Sequence, residues 1–287
     1  MHTVDAHHHL WDLSVRDQPW ISGPAMAPLR RSFPAAEFAH EARAASVTAS
    51  VLVQTVTVAQ ETPELLALAA GSDLIAAVVG WTDLTPPGVP EELARLRALP
   101  GGEFLRGIRH QVQGEPDPEW LVRPDVLRGL RAVAAQGLAY DLVVLPHQLP
   151  PAVRAAAAVP ELTFVLDHLG KPPLAAGGLR DWEAALRRLA ALPNTVGKLS
   201  GLVTEADWDT WTIDRLRGCV DAALDAFGPE RLMFGSDWPV CTLAASYGDV
   251  VAAARTLTTA LSPSEQAEVW SGTAARAYGL GSPPTAR

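Results

Sequence analysis

Lysine is almost missing from this chain of 287 residues: Lys171 and Lys198 stand alone, and the other 21 of the 23 basic side chains are arginine. Acidic residues outnumber basic ones, 32 to 23, for a formal charge of −9. With no local basic cluster, that surface repels phosphate backbones and excludes a nucleic-acid partner. Cysteine is equally scarce. Cys219 and Cys241 form no CxxC pattern, which excludes a disulfide framework and points to a reducing, cytoplasmic setting. No apolar run is long enough to span a bilayer. Met1-His2-Thr3-Val4-Asp5 lacks the basic-then-apolar order of a secretory signal. Glycine is absent where a nucleotide-binding sheet needs it, because Leu10-Trp11-Asp12-Leu13 follows the first apolar run.

Apolar material, by contrast, is plentiful: 48% of residues are hydrophobic and mean hydropathy is +0.10. Alanine alone accounts for 48 positions. Short Val/Ile/Leu-rich runs predict strands over Thr3–Leu10, Ala49–Val56, Leu74–Trp81, Leu105–Val112, Leu138–Leu145, Leu162–His168, Thr195–Ser200 and Arg231–Asp237. Their mean spacing, roughly 30 residues, is that of one βα unit. Helix signals fall between them. Thr62-Pro63-Glu64 reads as an N-cap followed by proline, ahead of Leu65, Leu66, Leu68 and Ala69. Ser262-Pro263-Ser264-Glu265 reads as a capping box, and Leu186, Leu189, Ala190 and Leu192 recur at helical spacing. Eight such units predict an α/β fold, a single (β/α)8 TIM barrel over residues 1–287 with a frayed tail from about 279. The aperiodic stretch from Trp11 to Pro34 is expected to fold over the barrel mouth.

Polar residues gather at the ends of these strands. Strand alternation puts His7 and His9 on one face and His8, expected to be structural, on the other. His168 ends strand six and Asp237 ends strand eight. Closure of an eight-stranded barrel pairs strand eight with strand one, which sets Asp237 beside His7 and His9. On strand four, either Arg109 or His110 faces inward; a guanidinium there suits a carboxylate or several hydroxyls. Asp141, beside Tyr140 in strand five, and His147 after it are further candidates for substrate contact, as is Lys198 in strand seven. Trp11, Trp81 and Trp238 each follow or end a strand, where an indole face can stack on a sugar-like ring.

The stretches VDAHHHLWD, RGIRHQVQ, VLDHLGKP, KLSGLVTEADW and RLMFGSDWPV, taken together, resemble the amidohydrolase superfamily. More narrowly they resemble its amidohydrolase-2 group of sugar-lactone hydrolases. The resemblance implies metal ligation or catalysis by His7, His9, His168 and Asp237. It also implies a bridging lysine or glutamate on strand four and a histidine on strand five. Neither is present, since strand four offers Arg109 and His110 and strand five Tyr140 and Asp141. At most one divalent ion is therefore expected, zinc by ligand preference, and metal-free catalysis stays open. The expected activity is opening of a sugar-acid lactone or similar polar cyclic ester, with Asp237 as base. A metal-dependent decarboxylase and a non-catalytic binding barrel are the alternatives.

Overall fold

Eight parallel strands alternate with helices in the computed structural model, which describes residues 2–281. The strands are β1 (Val4–His8), β2 (Ala49–Val53), β3 (Ile75–Gly80), β4 (Leu105–His110), β5 (Ala139–Leu142), β6 (Phe164–Leu166), β7 (Thr195–Leu199) and β8 (Leu232–Phe234). They lie in sequential order in one sheet. A parallel bridge between His8 and Trp238, with Asp237 N–H donating to His7 C=O at 2.8 Å, draws β8 to β1. The architecture is a (β/α)8 TIM barrel, as the strand count predicts, and each strand falls inside its expected window.

Around it run α1 (Ala35–Ala44), α2 (Glu61–Ala70), α3 (Val89–Arg97), α4 (Pro124–Ala135), α5 (Leu149–Ala158), α6 (Leu179–Ala190), the short α7 (Leu202–Glu205), α8 (Ile213–Phe227), α9 (Tyr247–Leu257), α10 (Pro263–Ala267) and α11 (Thr273–Tyr278). Among the described residues no helix is long and apolar enough to cross a membrane. The capping box at Ser262 starts α10 as expected. The expected cap at Thr62 does not form, because α2 already begins at Glu61, after Gln60, with no side-chain cap. The Thr62 hydroxyl instead accepts from Trp81 N–H at 2.7 Å and donates to its C=O at 2.8 Å, tying α2 to the end of β3. Gly279, at φ 58°, closes α11 and Leu280 N–H reaches Ala275 C=O at 2.9 Å. The rest of the expected tail, residues 282–287, lies outside the described residues.

The barrel interior has two kinds of layer. Its lower part is apolar: Val4, Ala6, Val51, Val53, Ala77, Val79, Ala139, Val165 and Met233, plugged from below by Ala274 and Tyr278 of α11. Two residues further along β4, β5, β6 and β7, the same inward face carries Arg109, Asp141, Asp167 and Lys198, all buried. On β1 the inward phase changes. Val4 and Ala6 face the interior, a register irregularity follows between Asp5 and His8, and His7 then turns inward as well. Such a bulge re-aims a side chain at a site. His8 points outward, its Nε2 3.0 Å from Ser50 Oγ and its ring stacked on Phe38 at 3.6 Å, in the structural role expected of it.

Candidate active site

Above the charged layer opens a cavity of about 400 Å³. His9, Arg109, His168 and Asp237 form its floor, and Thr55, Gln111, Gln113, Lys171 and Thr204 supply hydrogen-bonding walls. The long loop after β1 covers one side with Trp20 and Met26, as expected of the stretch from Trp11 to Pro34. His168 and Asp237 sit just beyond β6 and β8 at φ 53° and 59°. Left-handed backbone is costly for such residues, and its clustering with Leu169 and Lys171 marks a place where strain holds side chains in position. Two glycines permit the approach. A Cβ on Gly235 would meet His7 Cβ at 2.7 Å, and one on Gly201, at φ 63°, would meet His168 Nδ1 at 2.6 Å.

The three imidazoles converge on Asp237. From its Oδ1, His9 Nε2 lies at 3.5 Å, His7 Nε2 at 3.7 Å and His168 Nε2 at 3.9 Å. Burial alone would raise the Asp237 carboxyl. His168 and the other two histidines outweigh it, holding the group well below the usual carboxylate range. Burial pushes His7 far down and His168 down as well, so both rings are neutral near pH 7. Asp237 therefore enters as an acceptor-only anion beside the neutral rings of His7 and His168.

Each ring is held at its far nitrogen. His9 Nδ1 lies 2.8 Å from Val53 C=O, and a carbonyl only accepts, so His9 keeps its lone pair on Nε2. In one tautomer His7 donates from Nε2 to His9 Nε2 at 3.2 Å while its Nδ1 accepts from Lys198 Nζ at 3.1 Å. In the other its Nε2 accepts from Arg109 Nη1 at 3.4 Å and Nδ1 donates to Asp167. Asp167 Oδ1 also lies 3.2 Å from His7 Nδ1. His7 thus has both a donor and an acceptor partner at Nδ1, and either tautomer is supported. His168 Nδ1 lies 2.9 Å from Ser200 Oγ. Outer partners of this kind fix imidazoles in metal sites.

His7, His168 and Asp237 each offer a ligand atom, all within 4.8 Å of one another. A tetrahedral zinc ion bound at about 2.05 Å sets its ligands roughly 3.3 Å apart. The separations of 3.5 and 3.7 Å from Asp237 to His9 and His7 are close to that. The donor set fits one divalent ion. It does not extend to two: β4 carries no lysine or glutamate, and Arg109 Nη1 and Lys198 Nζ flank His7 at 3.4 and 3.1 Å.

Of the two candidates on strand four, Arg109 is the one that faces inward, in phase with Gly107. Its Nη1 donates to Asp167 Oδ2 at 2.9 Å, and its Nη2 to the C=O of Gln54 and, at 3.1 Å, to Gln54 Oε1. His110 points the other way, stacked on Trp120 at 4.2 Å, 2.6 Å from Glu115 and accepting from the Trp81 indole at 3.0 Å. That contact also holds Trp81 away from the cavity. Trp11 donates to Arg31 C=O at 2.7 Å and lines a separate groove against α2. Trp238 is buried against Phe33 and Phe38, and His147 is exposed on the turn before α5. The aromatic wall of the cavity is Trp20 instead. Asp141 and Lys198 lie one layer below the cavity, paired at 2.6 Å.

Asp167 escapes the sequence reading although it is central. Lys198 and His7 hold it well below the usual range against its burial. Its signal was present: it stands two residues after inward-facing Val165, inside VLDHLGKP. Gln111 stands likewise two after Arg109.

The profile of the amidohydrolase family, described as Amidohydrolase, matches residues 4–280. An L-fucono-1,5-lactonase of Burkholderia multivorans is 45% identical over 99% of this chain and 98% of its own. An L-fucono-1,5-lactonase of Burkholderia ambifaria is 35% identical over 98% and 96%. The crystal structure of an amidohydrolase from Burkholderia multivorans with bound zinc is 44% identical, with a TM-score of 0.93 over 98% of this chain and all of that one.

Proposed function

The chain belongs to the amidohydrolase family, and from that premise we propose that it is a hydrolase opening a sugar-acid lactone. The observation that carries this is a single ionised carboxylate, Asp237, among three imidazoles on the floor of a polar cavity. The near full-length likeness to L-fucono-1,5-lactonases supports the choice of substrate class.

The substrate's hydroxyls meet Gln111, Gln113, Thr55 and Thr204, with Trp20 against its ring. Arg109, locked by Asp167 and Gln54, orients the carbonyl end. Asp237 takes a proton from a water as that water attacks the carbonyl carbon. His168, whose Nδ1 rests on Ser200, turns Nε2 toward the developing oxyanion, with His7 beside it. The C–O bond to the ring oxygen then breaks, and Asp237 returns its proton to the departing alkoxide. A divalent ion such as zinc, held by His7, His168 and Asp237 with His9 adjacent, would add Lewis-acid polarisation of the carbonyl when bound. The net charge of −9 supports a small-molecule substrate with no nucleic-acid partner. Two buried, unpaired cysteines support a cytoplasmic enzyme.

The test is a pH-indicator assay over fuconic, rhamnonic, galactonic and aromatic-derived lactones, with and without chelator. Opening of the sugar-acid lactones above the buffer rate is the expected result. Decarboxylation of aromatic acids that stops with chelator, with lactones untouched, would replace this reading with a decarboxylase. Ligand binding without turnover of any kind would leave a binding barrel.

A further inference from the structure

The barrel floor is wired to the catalytic layer by a chain of buried polar contacts. Tyr278, in the last turn of α11, enters the barrel from below, and its ring packs near Gly107 of β4, where a larger residue would crowd the space. The tight neighbour of Gly107 is Val79, whose Cγ2 would lie 3.1 Å from an added Cβ, with Tyr278 Cε1 at an ordinary 3.5 Å. The Tyr278 hydroxyl donates to Asp141 Oδ2 at 2.8 Å. The same oxygen accepts from Lys198 Nζ at 2.6 Å. Lys198 in turn reaches Asp167 Oδ1 at 3.0 Å and His7 Nδ1 at 3.1 Å. Tyr278, Asp141, Lys198, Asp167 and His7 are all about 1% exposed or less.

We propose that Tyr278 is a positioning residue for the reaction, acting through Asp141 and Lys198 to fix the His7 ring. A tyrosine that only filled the floor would need no hydroxyl there, and a phenylalanine would pack the same apolar layer. Among the described residues the hydroxyl has one partner, an aspartate whose only other side-chain hydrogen bond comes from Lys198. Asp141 therefore takes its two donors from opposite sides, one from the floor and one from the catalytic layer. Without the Tyr278 hydroxyl, the Asp141–Lys198 pair keeps its 2.6 Å contact but is no longer anchored to the floor, and Lys198 can shift together with Asp141. Lys198 and Asp167 face His7 Nδ1 as donor and acceptor, so displacement of Lys198 shifts the balance between the two tautomers and changes what His7 Nε2 offers. The C-terminal helix thus takes part in catalysis from the face of the barrel opposite the substrate.

Tyr278→Phe tests this with the full chain. Loss of a hydrogen bond to a charged group, passed on through two contacts, is expected to lower kcat about tenfold with KM within about twofold. Asp141→Asn should lower kcat in the same direction, and the double variant should fall no further than the worse single one, since the two act along one chain. In 15N-histidine NMR, the ring nitrogens of His7 should shift in Tyr278→Phe while those of His8 stay in place. An unchanged kcat together with unchanged His7 resonances overturns the proposal. So does a loss confined to thermal stability, or full additivity of the two variants. The kinetic arm rests on the lactone-opening reading, whereas the NMR arm does not. A wild-type protein inert toward lactones would sink that reading alone, and the His7 resonances would still decide the role of Tyr278. Should Tyr278→Phe fail to fold, Asp141→Asn carries the same two readouts.

Discussion

Replacing Asp237 with asparagine removes the proposed base and, with it, the one anionic ligand of the His7–His168–Asp237 set. The position is held at φ 59°, a backbone region that asparagine tolerates as well as aspartate. The amide is nearly isosteric and keeps one oxygen toward the histidines, so the variant should fold. No second carboxylate can take over. Among the described residues Asp237 is the one carboxylate lining the cavity, and Asp167 below it is committed to Arg109, Lys198 and His7. General-base catalysis is worth about 100- to 10,000-fold. Without a substitute base the loss should lie near the middle of that range, roughly a thousandfold in kcat, or about 4 kcal/mol of barrier. KM should change little, because the hydroxyl-binding walls are untouched. Each lactone opened near neutral pH releases one proton, so a weakly buffered indicator assay reads the rate directly. Turnover by Asp237→Asn within a few-fold of wild type would refute the base assignment.

Two further outcomes follow from the same geometry. Asp5 is fully buried, accepting from Ser236 N–H, His7 N–H and the Tyr247 hydroxyl, and burial raises its carboxyl to about 6. The native state thus keeps this proton over a range where the unfolded chain has lost it, and wild-type stability falls as pH rises from about 4 to about 6. Asp5→Asn lacks that loss and should gain about 2 kcal/mol relative to wild type between pH 4 and pH 7, read by urea unfolding at both values; parallel pH profiles would contradict this. His110→Ala should leave kcat/KM within about twofold of wild type while lowering stability by about 1–2 kcal/mol, since it strands the Trp81 indole and Glu115. A large kinetic loss would return His110 to the list of substrate contacts.

Much of this site can be read from strand ends. His7, His9, His168 and Asp237 declare themselves because polar residues at the C-terminal ends of eight regular apolar runs have one place to go. Closure of the barrel makes β8 the neighbour of β1. Between Arg109 and His110 the choice was also within reach: Gly107 lies two residues before Arg109, and a small inward residue leaves room for what enters from below. The tryptophans were not legible. Whether Trp11 or Trp20 reaches the cavity depends on the path of a loop with no periodicity, and the turn of Trp81 toward His110 is a tertiary contact. The ionic layer under the mouth was hidden for another reason. Lys198, Asp141 and Asp167 come from three strands, and only the sheet register brings them within hydrogen-bonding distance. The phase change on β1 was likewise unreadable, because strict alternation places Ala6 and His7 on opposite faces.

The most direct test of the account is hydrolysis of a sugar-acid lactone by the wild-type protein in 18O-labelled water, with enzyme-free buffer as the reference. Attack by an Asp237-activated water on the carbonyl predicts faster opening than in buffer. It also predicts a product with one heavy oxygen, located in its carboxylate and not in the released hydroxyl. Opening no faster than in buffer, or label found at the hydroxyl carbon, would contradict it.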